Sequence, residues 1–120
     1  SGRQYAFPGT TRRENNTPTN FTRIKNYPVQ GFATGDVVPV VLLEIDKRLK
    51  NMHSCIVNSV HDSAVIDIHP DEQKEVINVI NDVNDCLNDI IDKYYGVKMN
   101  VPLLLEAKIG PNWLDTKDVI

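Results

Sequence analysis

The chain has 120 residues, 41% of them hydrophobic and 24% charged, with a net charge of −3; that balance fits one folded domain. No uninterrupted apolar run approaches the roughly 18 residues of a membrane span, and no charged start followed by an apolar core marks a signal peptide. Two cysteines, Cys55 and Cys86, form neither a disulfide framework nor a metal-binding pair, so both are expected reduced, in a cytoplasmic protein with no membrane partner.

Residues 1–8, SGRQYAFP, alternate weakly in polarity and run into Pro-Gly, which predicts a short strand entering a turn. The polar stretch 9–21 predicts a loop. Charge is uneven here: residues 1–30 hold Arg3, Arg12, Arg13, Arg23 and Lys25 against the single acid Glu14. A basic arm on an acidic body points to a local anion site, and a solvated arginine loop is the plainer alternative.

Pro28 suits a first helical turn, and Val37, Val38, Val40, Val41, Leu42, Leu43, Ile45 and Leu49 follow. The pattern predicts a buried helix over 28–50, kinked at Pro39. Two short apolar runs, 54–60 and 63–69, flank His61-Asp62 and predict a β-hairpin. Pro70, Asp71 and Glu72 then open a second helix over 71–95. Val76, Val79, Ile80, Val83, Leu87, Ile90 and Ile91 recur on its apolar face, and Gly96 is a stop. VPLLLEAKI, 101–109, predicts a last strand, with GPNW turning the chain out toward its C-terminus. The layout is α+β, a mainly antiparallel sheet with two long helices, whose sheet calls for strands from elsewhere.

A hairpin tip of this length usually carries Asn-Gly or Asp-Gly, because the tip needs positive φ. His61-Asp62 breaks that preference, as functional sites do. An exposed carboxylate on stiff strands is free to bind a hard cation such as Mg²⁺; a solvated turn aspartate explains the same spacing. Asp67 lies an odd number of residues further on, hence on the other face, and no second ligand for a two-metal site is near. A second group, RIKNYPVQG, gathers Arg23, Lys25, Asn26 and Gln30. Asn26 and Gln30 share a face if one helix covers both. Their amides could meet minor-groove acceptors while the cations meet phosphates; helix capping by Asn26 and a solvated Gln30 is the alternative. No phosphate-binding glycine loop, hydrolase elbow or zinc spacing occurs.

Taken together, RIKNYPVQGFATGD, VNSVHDSAVIDIHPDE and VPLLLEAKIGPNW resemble the C-terminal palm segment of family A (Pol I-like) DNA polymerases, with a bacteriophage flavour. The resemblance implies that Asp62 is the palm aspartate that binds catalytic Mg²⁺, and that His61 lies near the primer end. It implies that Asn26 and Gln30 track the minor groove of primer–template DNA, with Arg23 a further contact standing three residues before Asn26, where many members show four. The glutamate that often follows His-Asp in the family is Ser63 here, and Ser63 is given no metal role. The family's other palm aspartate, its nucleotide-gripping fingers helix and a thumb are missing from these residues. On the resemblance, the chain either complements another polypeptide, as in a split polymerase, or is a piece of a longer one; the implied partners are primer–template DNA, deoxynucleoside triphosphates and a complementary polymerase chain. The isolated chain is expected to be inactive, because one aspartate cannot build a two-metal site. Ser1 would suit the residue after an excised intein. A viral source would place the protein in a bacterial host's cytoplasm. The competing reading is a non-catalytic α+β module that binds nucleic acid or protein.

Overall fold

A computed structural model describes residues 2–120. The elements are α1 (Phe21–Phe32), a π-helical turn (Ala33–Val37), α2 (Val38–Leu49), β1 (Cys55–Val60), β2 (Ser63–Asp67), a 3₁₀ turn (Pro70–Glu72), α3 (Gln73–Tyr95), β3 (Lys108–Ile109) and β4 (Lys117–Asp118). The strands form two separate antiparallel pairs, β1–β2 and β3–β4. The class is α+β, as the residue pattern implies.

The core is a helix pair. Val40, Val41, Ile45 and Leu49 of α2 pack on Val76, Val83, Leu87, Ile90 and Ile91 of α3. The spacing of the α3 residues is helical, so they form one stripe, and their burial is the largest favourable term holding the pair. Gly96 ends α3 in the left-handed conformation at φ 64° and donates its N–H to the Asp92 carbonyl, the C-cap expected of glycine.

The first helix departs from the expected 28–50. It begins at Phe21 and continues to Leu49, 29 residues in all, so Pro28 lies inside it rather than at its start. An interior proline costs roughly 3 kcal/mol. Aromatic packing offsets that cost here: Phe7 lies 5.4 Å and Tyr5 6.3 Å from the Tyr27 ring. The π-helical turn precedes Pro39, which takes an early position in α2. Because Pro39 has no N–H, the Gly35 carbonyl lacks its usual i+4 donor, and Arg3 Nη2 donates to it at 3.3 Å. The helix is also less buried than its composition predicts. Val29 is 70% and Leu43 52% exposed, because only one side of it meets α3. By length and composition alone this helix could cross a membrane, but its apolar stripe is used in the core against α3.

Residues 2–8 form no strand. Their alternation is real, but it is spent on a helix: Arg3 meets Gly35 and Asp36, Tyr5 meets Gly31, and Phe7 meets Tyr27. Two residues of extended chain advance about as far as four of helix, so every second side chain meets every fourth helical position. The stretch 9–21 is more ordered than a plain loop. Arg12 bridges Pro18, the Arg13 N–H donates to the Thr17 carbonyl, and Asn16 takes φ 64°. That is a miniature hairpin with a left-handed Asn at the bulge position. The strand expected over 101–109 shrinks to Lys108–Ile109, because Leu103 and Leu105 pack on the helix pair instead. The chain after GPNW does not leave; it returns as β4, with Lys117 opposite Ile109.

The radius of gyration is 18.4 Å, against about 14 Å for a compact domain of this length. Much of α1 and of the β1–β2 hairpin is therefore open surface.

Candidate metal and nucleic-acid site

His61 and Asp62 form the loop of the β1–β2 hairpin, closed by the Val60–Ser63 pair. Both are exposed. His61 holds φ 55°, an uncommon conformation for a non-glycine residue, in which His, Asn and Asp are the more tolerated types. The Ser63 hydroxyl donates to the Val60 carbonyl at 2.9 Å and tightens the turn. Val57 is an extra residue in β1, between the Ile56–Ile66 and Asn58–Val65 pairs; such a bulge strengthens the local twist and re-aims the tip. Asp67 pairs with Cys55 at the opposite end of the hairpin, about 16 Å along the strand from Asp62. It cannot share a ligand with Asp62.

A two-stranded hairpin is marginal on its own, and this one is tied at its base. Glu72 accepts the N–H groups of His53 (2.9 Å) and Ser54 (2.8 Å) and the Ser54 hydroxyl (2.7 Å). Ser54 Oγ in turn accepts the His69 N–H at 3.0 Å. Ser54 precedes β1 and His69 follows β2, so one carboxylate and one buried hydroxyl join both ends of the hairpin to the start of α3. The His53 N–H, followed by the Ser54 hydroxyl, holds the Glu72 carboxyl at about 2, well below its ordinary 4.5. Sequence reasoning saw in Glu72 only a helix-dipole acid; its serine partner lies 18 residues away, a pairing no local pattern shows.

Arg23, Asn26 and Gln30 lie on one helix, α1, at spacings that set them along one face. The early start of α1 is what brings Arg23 into that row. All three are exposed. Arg23 donates to the Tyr27 hydroxyl and lies 5.2 Å from that ring, an i,i+4 brace that the sequence spacing alone could have revealed. The capping alternative for Asn26 falls away, because Asn26 is inside the helix and the N-cap is Asn20. Beneath this row, Tyr5 lies against Gly31, where a Cβ would overlap its hydroxyl. Further along, Arg3 Nη2 donates to buried Asp36 at 2.7 Å, and the Tyr95 hydroxyl donates to the Asp36 carbonyl at 2.9 Å. The helical row and the hairpin tip stand on separate elements.

Asp62 fits a hard cation as one oxygen ligand: it is an accessible carboxylate on a tied ribbon. Among the described residues no three His, Cys, Asp or Glu side chains gather into a metal cluster, so any Mg²⁺ there would need ligands from outside them.

Comparison with known proteins gives the arrangement a context. The family model "DNA polymerase family A" matches residues 1–115. The chain is 28% identical over 117 residues to DNA polymerase I of Deinococcus radiodurans, a match covering 97% of this chain and 11% of that protein. It is 33% identical over 94 residues to DNA polymerase I of Caldicellulosiruptor bescii, covering 77% of this chain and 10% of that protein. It is also 31% identical over 91 residues to the DNA polymerase of Bacillus phage SP01, covering 75% and 10%. The chain thus spans about a tenth of the length of the curated relatives it matches. No solved structure matches it. On the extent of the family match, this chain belongs to DNA polymerase family A.

Proposed function

We propose that residues 1–120 are the C-terminal palm segment of a template-directed DNA polymerase of bacteriophage type. The observation that carries this reading is a lone carboxylate, Asp62, on the strained tip of a hairpin whose base is fixed by Ser54 and Glu72. Asp62 would hold Mg²⁺ jointly with a carboxylate from another segment. When bound, the metal supplies neutralisation of the charge that develops on the phosphates during nucleotidyl transfer. The chain's own residues do the positioning. The exposed amides of Asn26 and Gln30 offer donors to minor-groove acceptors, which suits contact along a duplex of any sequence. Arg23, braced on Tyr27, faces the same duplex as a phosphate contact. His61 stands beside the reacting end of the primer.

The substrates on this reading are primer–template DNA and deoxynucleoside triphosphates. The second aspartate, the fingers and the thumb come from a complementary stretch of polypeptide, in a split polymerase a separate chain, in a bacterial host's cytoplasm. The segment by itself is inactive, because one carboxylate does not make a two-metal centre. Mixing the segment with a complementary polymerase chain, or restoring it to the complete enzyme, should give Mg²⁺-dependent primer extension that Asp62→Ala removes. Extension near the wild-type rate by Asp62→Ala would refute the assignment.

A further inference from the structure

The N-terminal charge asymmetry is not used up by the site described above. Of the five cations in residues 1–30, Arg3 is neutralised by Asp36. Among the described residues, no carboxylate lies within 4.0 Å of Arg12, Arg13, Arg23 or Lys25. Arg12 and Arg13 are instead held by neutral partners. Arg12 Nη1 donates to Asn16 Oδ1 at 2.7 Å and Arg13 Nη2 to the Thr19 carbonyl at 3.3 Å. Such bonds fix a guanidinium without cancelling its charge, and they leave most of its donors open. The backbone beneath is set by the 12–18 bridge, the Arg13–Thr17 bond and the left-handed Asn16.

This hairpin stands at the N-terminal end of α1. The Asn20 side chain donates to Thr10 Oγ1 at 3.1 Å, and the Phe21 N–H donates to the Pro18 carbonyl. The first turn of α1 contains no acid, so the helix dipole adds to the positive field. Lys25, with Nζ 4.5 Å from the Phe21 ring, lies on the same stretch of helix. Glu14 is the one opposing charge in the hairpin, and it too is exposed. Ordered, uncompensated guanidinium groups held at the start of the helix that carries a row of amide donors match a phosphodiester backbone, which arginine recognises with paired donors.

We propose that the Arg12–Arg13 hairpin is a phosphate clamp on the primer–template duplex, extending the Arg23–Asn26–Gln30 row past the start of α1. This rests on the polymerase reading and adds to it a sequence-independent grip supplied by residues outside that row. The clamp releases counterions, so its signature is the salt dependence of binding.

The test is a titration of the polymerase carrying this segment against a fluorescent primer–template, at salt from about 50 to about 200 mM, a range over which phosphate contacts show clearly. Replacement of both arginines, Arg12→Gln with Arg13→Gln, should lower the slope of log K against log salt by about one to two, roughly one per lost contact. It should weaken binding alike on duplexes of different sequence. Arg12→Lys with Arg13→Lys keeps the charge and should retain most of the slope, which separates charge loss from misfolding. An unchanged slope and affinity for the glutamine variant would overturn the clamp. An equal loss on a single strand of the template would overturn the duplex as its target. Asp62→Asn, assayed in parallel by extension, tests the polymerase reading alone, so failure of one proposal is told apart from failure of the other.

Discussion

The Ser54 hydroxyl donates to Glu72 Oε2 at 2.7 Å and accepts the His69 N–H at 3.0 Å. This one buried oxygen therefore connects the residue before β1, the second residue beyond β2 and the turn that opens α3. The carboxylate at the far tip inherits its direction from that knot, because a twisted two-stranded ribbon has little else to orient it.

Ser54→Ala should cost roughly 1–3 kcal/mol, since it removes two hydrogen bonds of a buried hydroxyl and leaves the part-buried His69 N–H without its partner. The loss is read as a lowered denaturation midpoint. It should appear together with faster hydrogen exchange in β1 and β2 and little change in α3. Uniform exchange throughout the chain would show that Ser54 is an ordinary core residue and not the tie of the hairpin.

The same knot sets an acid limit. Glu72 is held at about 2 against an ordinary 4.5, so between those values the unfolded chain binds more protons than the folded one. Stability drawn from Glu72 is therefore complete above about pH 4.5 and drains away as the pH falls toward about 2. The neighbouring helices behave alike, because Lys47 and Arg48 hold Glu44 at about 2 as well. Backbone amide shifts of His53 and Ser54 followed by NMR should titrate with a midpoint near 2. A midpoint near 4.5 would show that the carboxylate is not held by these donors.

Gly31 and Tyr5 form a close pair, and the N-terminal segment depends on it. Gly31→Ala places a methyl where the Tyr5 hydroxyl lies, an overpacking that costs about 1–3 kcal/mol. Protease cleavage within residues 2–19 should accelerate in this variant. Tyr5→Ala alone should also loosen the segment, but the double variant should lose less than the sum of the two single losses, because both remove one contact. Additive effects would mean that the two residues act separately.

The amide row makes a graded prediction. Asn26→Ala and Gln30→Ala each remove one neutral hydrogen-bonding group, worth about 0.5–1.5 kcal/mol. Extension efficiency in the assembled polymerase should fall about 2- to 10-fold for each, equally across template sequences. Both side chains are exposed on α1, so stability should hold. A wild-type efficiency in the double variant would remove these amides from the DNA contact.

Legibility followed the range of the interaction. Helix α3 was readable because its apolar stripe is periodic and its end is marked by Gly96. The His61–Asp62 tip was readable because two β-rich runs bracket residues that a turn does not prefer. Pro28 lies mid-helix although a proline suits a first turn equally well, and the aromatic contacts beside it come from Tyr5 and Phe7, 23 and 21 positions earlier in the chain, packed on Tyr27. The Arg3–Tyr5–Phe7 alternation looked like a strand because period two is also what an extended segment needs to follow a helix. The short strand β4, and knots such as Ser54–Glu72, depend on distant partners and left no local trace.

On the proposed reading, Asp62 ligates the metal at which phosphates react. A structure of the assembled polymerase with primer–template, incoming nucleotide and Mn²⁺ in place of Mg²⁺ addresses it directly. An anomalous peak is expected about 2.0–2.2 Å from an Asp62 carboxylate oxygen, the range for oxygen ligands of a small hard cation, shared with a carboxylate from outside this segment. An Asp62 side chain turned to bulk solvent, with the metal held entirely by other residues, would contradict it.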